Sequence, residues 1–207
     1  MNRREALKGL SLSIGYIVST PLVLSALESC TQPKISWSAV FFDSNEQTLV
    51  SHIVDIVLPT SDIPGGLDLN LPEFADMMCN DVLNDQDQDL FHKGAKLFAE
   101  KVIAPSKGSV ENTTRSKTEQ VFKSYFDLNE EESTRVLKRQ STDFISVKEG
   151  EKEDYLIYKF LFTVRSFALL GYFTSEKIGT EVLNFDPIPG LWQPCIPVED
   201  VGNAWTI

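Results

Sequence analysis

Two histidines and three cysteines in 207 residues leave little from which catalysis could be built. Neither His52 nor His92 stands at nucleophile or metal-ligand spacing, and no HExxH, CxxC or CxxCH occurs, so haem attachment and the common zinc sites lack their residues. Glycine-rich phosphate cradles (GxGxxG, the P-loop) and the GxSxG nucleophile turn are missing too. Both histidines read as structural groups. Positive charge is short: 19 Lys and Arg face 30 Asp and Glu, a net charge of −11 that excludes a nucleic-acid binder, which needs a basic footprint. Internal repeats and low-complexity blocks are absent, and strand-like alternation is nearly so.

What is present begins with the N-terminus. Met1-Asn2-Arg3-Arg4-Glu5-Ala6-Leu7-Lys8 is a basic opening with a twin-arginine pair at Arg3 and Arg4, followed by an apolar, small-residue run from Leu10 to Leu27. That order predicts an export signal over 1–29. An uncleaved membrane anchor competes on length, but Pro21 and the many serines favour a signal. The tetrapeptide Leu27-Glu28-Ser29-Cys30 resembles a lipobox, with an unusual Glu28, and predicts lipidation of Cys30. Residues 30–43 read as a tether and 44–207 as the folded domain. The chain is thus expected on the periplasmic side of the membrane, held by a lipid. With Cys30 modified, two thiols remain: they either pair, or Cys195, in a Pro-flanked loop, bonds a partner while Cys79 stays an inert buried thiol.

The periodicity predicts an all-α single-domain bundle of about six helices with an irregular, Pro-rich C-terminal segment. The first helix starts at Ser44 as N-cap with Gln47 three residues on, keeps Leu49, Val50, Ile53, Val54, Ile56 and Val57 on one face and Glu46, Ser51 and Asp55 off it, and stops at Pro59. A second, over 71–83, is expected to bury Phe74, Met77, Met78 and Val82. The Asp85–Asp89 run matches only the start of a calcium loop, since Leu90 replaces the turn glycine, and reads as acidic residues at the start of a third helix ending near Ile103. A fourth helix spans 115–126. The fifth, capped by Asn129, runs toward Phe144 and Ile145.

The sixth helix, 155–170, is apolar nearly all round, with Lys152, Tyr155, Lys159, Thr163 and Ser166 on a narrow polar stripe. The apolar run is too short and too charged for a membrane span, which makes it a core helix. Arg165 falls in an apolar row with Tyr158, Phe162 and Leu169, so a buried guanidinium with a carboxylate partner is expected, or else a contact to another protein. Gly171 reads as a left-handed C-cap, and Ser175 or Thr174 as the N-cap of a short helix carrying Glu176. The exit is a structural corner, or Tyr172, Phe173 and Trp192 form a partner-binding surface.

Leu170-Gly171-Tyr172-Phe173-Thr174-Ser175-Glu176, then Gly179, Pro187-Ile188-Pro189-Gly190 and Cys195-Ile196-Pro197, resemble the end of the gluconate 2-dehydrogenase subunit 3 family. Ile56-Val57-Leu58-Pro59-Thr60-Ser61-Asp62-Ile63-Pro64-Gly65 with Pro72-Glu73-Phe74 resembles that family's first helix and loop, and a twin-arginine leader is usual for it. Residues 104–150 carry little of the likeness. The resemblance implies a non-catalytic small subunit that binds no cofactor itself and helps to fold and export a flavoprotein dehydrogenase acting on sugars, sugar acids or alcohols. The FAD would lie in that large partner, and a cytochrome c subunit often receives the electrons. Cys30 departs from a purely soluble role. A stand-alone helical envelope lipoprotein acting as an interaction module is the alternative.

Overall fold

The computed structural model describes residues 37–104, 108–186, 188, 190 and 195–206. Arg3, Arg4, Cys30 and Trp192 lie outside them. Among the described residues the fold is all-α, as the periodicity predicts, with no strand and with eight α-helices where about six are expected: α1 (Ser44–Val57), α2 (Leu71–Asp81), α3 (Asp85–Ile103), α4 (Arg115–Phe126), α5 (Glu130–Gln140), α6 (Lys152–Thr174), α7 (Glu176–Glu181) and α8 (Val198–Val201).

Helix α1 is capped one residue earlier than Ser44. The Asp43 carboxylate accepts the Glu46 N–H at 2.8 Å, and Glu46 Oε2 accepts the Asp43 N–H at 3.0 Å. This capping box does the work expected of Ser44 and Gln47, and it draws Glu46 inward. Glu46 and Ser51, expected off the apolar face, are buried, and so is His52. Before α1, residues 37–43, the described part of the expected tether, lie packed on the bundle. Asp76 of α2 accepts the N–H groups of Val40, Phe41 and Phe42 at 2.8, 3.1 and 2.7 Å, while the Phe42 ring stacks on Phe91 of α3.

Helix α2 presents a different face from the expected one. Leu71, Ala75, Asp76 and Cys79 are buried, whereas Met77 and Val82 are exposed. Small residues face inward because α2 runs close to α6, and the long side chains are pushed to the flanks. The acidic run at 85–89 opens α3, where Asn84 caps the Asp87 N–H at 2.9 Å and the carboxylates meet the positive end of the helix dipole. Helix α4 coincides with its expected span. Helix α5, closed by the Asn129–Glu132 capping box at its start, ends at Gln140, short of Phe144 and Ile145. The hydroxyls of Ser141 and Thr142 both donate to the Lys138 carbonyl and satisfy the last turn.

The centre of the fold is α6, with Ile157, Phe160, Leu161, Val164 and Ala168 fully buried. It packs most closely on α3, where Gly94 lies beneath the Leu156 carbonyl; a Cβ there would stand 2.1 Å from that oxygen. Phe160 meets Phe91 edge-on at 5.1 Å. The helix continues through Gly171 to Thr174, so the left-handed cap expected at Gly171 does not form. By length and composition the stretch Glu149–Thr174 is long and apolar enough to cross a membrane, longer than the sequence reading allows, and half of its most apolar window is buried inside the bundle. Ser175 ends α6 and caps α7 through the Ile178 N–H at 3.4 Å. The chain then folds back so that Asn184 pairs with Ala204 and Thr206 through its backbone.

Candidate docking face

A histidine–carboxylate pair is the first arrangement to weigh. His92 Nδ1 lies 2.7 Å from Glu46 Oε1 at a cavity of about 390 Å³ lined also by Asp43, Asn45 and Lys96. Burial raises the Glu46 carboxyl above its usual range, against the His92 hydrogen bond, which lowers it. Both groups are already committed to the fold. The second oxygen of Glu46 completes the α1 cap, and the His92 ring stacks on Phe41 at 4.3 Å. No serine, cysteine or threonine lines this cavity to act as a nucleophile. His52 is buried, with Nδ1 3.0 Å from Thr118 Oγ1, and burial holds its pKa down at about 4. Both histidines therefore stitch helices together, as the sequence suggests. Among the described residues no group of three His, Cys, Asp or Glu side chains is placed to hold a metal ion.

Cys79 is buried and free, its thiol pushed well up by desolvation; Cys195 is exposed and free. The two are not paired with each other.

The sequence-predicted docking residues divide. Tyr172 is buried, and burial raises its phenol pKa. Its ring meets Phe173 edge-on at 5.5 Å, but only Phe173 faces outward, at 40% exposure. Arg165 corrects an expectation: it is exposed and forms no ion pair among the described residues. Its row is apolar because it borders a second surface and not because it sinks into the core. Along α6, Phe162, Arg165, Ser166, Leu169, Leu170 and Phe173 recur at three- and four-residue steps, which sets them on one side of the helix. Leu170, Phe173, Arg165 and Ser166 are exposed, and Phe162 and Leu169 are half-buried. The structure thus brings Arg165 and Phe173 onto one face, sends Tyr172 inward, and keeps Cys195 on the C-terminal segment.

Sequence reasoning missed what borders this face. Helices α4, α5 and α6 enclose a cavity of about 240 Å³, walled by Tyr125, Phe126, Val136, Leu137 and Phe162, with Arg165 among its lining residues. Leu137 is 62% exposed there. The mixed charges of α5 suggest a wholly solvated face, and its single apolar pair, Val136-Leu137, was the available signal.

A family model described as gluconate 2-dehydrogenase subunit 3 matches residues 44–190, well over half of the chain. No curated protein and no solved structure matches it.

Proposed function

Since the chain belongs to the gluconate 2-dehydrogenase subunit 3 family, the small subunit of a dehydrogenase complex, we propose that it is a non-catalytic accessory subunit. In this reading it assists the folding, export and membrane association of a flavoprotein that oxidises a sugar, sugar acid or related alcohol. The FAD belongs to that large subunit, and a cytochrome c subunit can take the electrons onward. The leader with Arg3 and Arg4 directs the folded pair outward, Cys30 carries the lipid, and the complex resides on the periplasmic side of the membrane. The observation that carries the docking role is the outward face of α6, where Leu170 and Phe173 are exposed beside Arg165, which has no ion pair among the described residues. A core helix can hide such side chains at low cost, so leaving them in water is best explained by a partner that covers them.

The test is genetic. Deleting the chain from its native host should leave the flavoprotein in the cytoplasm and remove dehydrogenase activity from the membrane fraction. Resupplying the full chain should restore both, Arg3→Lys/Arg4→Lys should not, and Cys30→Ser should restore export while releasing the complex from the membrane. A flavoprotein exported normally without this chain would overturn the reading.

A further inference from the structure

The structure describes four arginines, and three of them hold carboxylates: Arg115 with Asp55 and Glu119, Arg135 with Glu131, and Arg139 with Glu151. Arg165 alone has no such partner among the described residues, in a chain whose net charge is −11. It lines the cavity whose other walls include Phe126, Val136, Leu137, Tyr158 and Phe162. The one hydroxyl among those five is already engaged, since Tyr158 donates to the Tyr125 carbonyl at 2.9 Å. Tyr125, Leu128 and Ser133 complete the lining, so the cavity offers a visitor mostly apolar wall, with one guanidinium as its single charged group.

We infer that this groove seats an apolar side chain of the dehydrogenase large subunit and that Arg165 pairs with an Asp or Glu carboxylate, or the chain-terminal carboxylate, next to it. The proposal rests on the accessory-subunit reading and names the contact that reading leaves open. Size favours a protein segment. At about 240 Å³ the groove falls below the range of roughly 300–1,000 Å³ usual for small-molecule and cofactor sites, so it suits one or two side chains better than a lipid tail. Charge favours it as well. A guanidinium recognises a carboxylate through two parallel hydrogen bonds, and the pair strengthens when apolar neighbours exclude water. Arginine and aromatic side chains are also the residues that anchor interfaces. Phe162 and Arg165 of the groove share one side of α6 with Leu170 and Phe173, so a single partner can cover both.

The experiment is photo-crosslinking in the native host, with a benzophenone amino acid placed at Leu137, at Phe173, or, as a control, at Lys96 of the separate Glu46–His92 cavity. The expected result is a crosslink from position 137 to a large-subunit peptide carrying an Asp, a Glu or the C-terminus beside an apolar residue. Arg165→Glu should lower that yield at least about tenfold, and Arg165→Lys, which keeps the charge without the fork, should lower it less. Circular dichroism melts of both variants should match the parent, because Arg165 is exposed. Crosslinks from Phe173 with none from Leu137 would overturn the groove while leaving the accessory role standing. Crosslinking at Leu137 that is indifferent to Arg165→Glu would overturn the carboxylate pairing. A bound lipid and not a peptide at Leu137 would overturn the choice of occupant. No large-subunit crosslink from any position would overturn the accessory role itself.

Discussion

Gly171 of α6 lies against Phe74 of α2: a Cβ on the glycine would stand 2.6 Å from Cδ1 of that ring. This contact joins the two stretches on which the family resemblance rests, Pro72-Glu73-Phe74 and Leu170-Gly171-Tyr172. They touch in the fold, and each explains the other's residue choice.

Two glycine substitutions should therefore differ in cost. Gly171→Ala meets a half-buried ring that can shift, and should cost about 1–3 kcal/mol, the usual range for overpacking. Gly94→Ala meets the Leu156 backbone oxygen at 2.1 Å, which cannot move without parting α3 from α6, and should cost more. Denaturant melts of both variants compare them, and Gly171→Ala with Phe74→Leu should recover part of the loss. A Gly94→Ala protein as stable as the parent would contradict the close helix approach.

Asp76 should be the fastening of the 37–43 segment. It is buried and accepts three backbone N–H groups, so Asp76→Ala strands those donors and should destabilise the fold by about 3 kcal/mol or more. Asp76→Asn, which keeps one acceptor oxygen, should lose less. Hydrogen exchange at Phe41 and Phe42 should accelerate in both variants before the rest of the bundle is affected.

Acid should weaken the fold through His52. Burial keeps its folded pKa at about 4, helped by Arg115 and opposed by Asp55, whereas the unfolded chain takes up the proton near 6.5. Its stabilising share is present above 6.5 and is lost as pH falls toward 4, at most about 3 kcal/mol at about 1.4 kcal/mol per unit. Glu46 works the other way: its raised pKa gives a share that is present below 4.5 and is lost as pH rises. Melts across pH 4–7 should show a shallower acid slope in His52→Asn, which keeps a partner for Thr118. An unchanged slope would mean that other groups set the acid limit.

Thiol labelling should separate the two described cysteines. Cys195, exposed, should react with an alkylating reagent in the native protein, and Cys79 only after unfolding, because burial both hides it and suppresses its thiolate. If Cys195 bonds a partner, non-reducing electrophoresis of the native complex should show a larger species that Cys195→Ser abolishes.

The helices were legible in the sequence where apolar spacing runs clearly, as at 115–126, or where a cap marks the start, as at Asn129 of α5. The cap of α1 and the end of α5 turn on local bonds, but the larger errors share a physical origin, a partner distant in sequence. Met77 and Val82 are expected inward by hydrophobicity, but α6 approaches so closely that Ala75 and Cys79 take the inner face. Nothing local in the sequence marks Asp76 as the acceptor of three N–H groups some 35 residues away. Gly171 has the composition of a helix end and is instead a helix crossing. Arg165 shows the limit most clearly. The apolar row that suggested burial belongs to a groove completed by α4 and α5, and no periodicity within α6 announces that.

Affinity purification from the native host tests the accessory-subunit account most directly. With a tag on the C-terminus of the full chain, mild detergent extraction should recover a large subunit in near-stoichiometric amount, yellow with flavin and active as a dehydrogenase. Leu170→Asp/Phe173→Asp should reduce that recovery severalfold without changing the melting of the small subunit. Recovery of the chain alone, or with flavin bound to the isolated chain itself, would contradict the account.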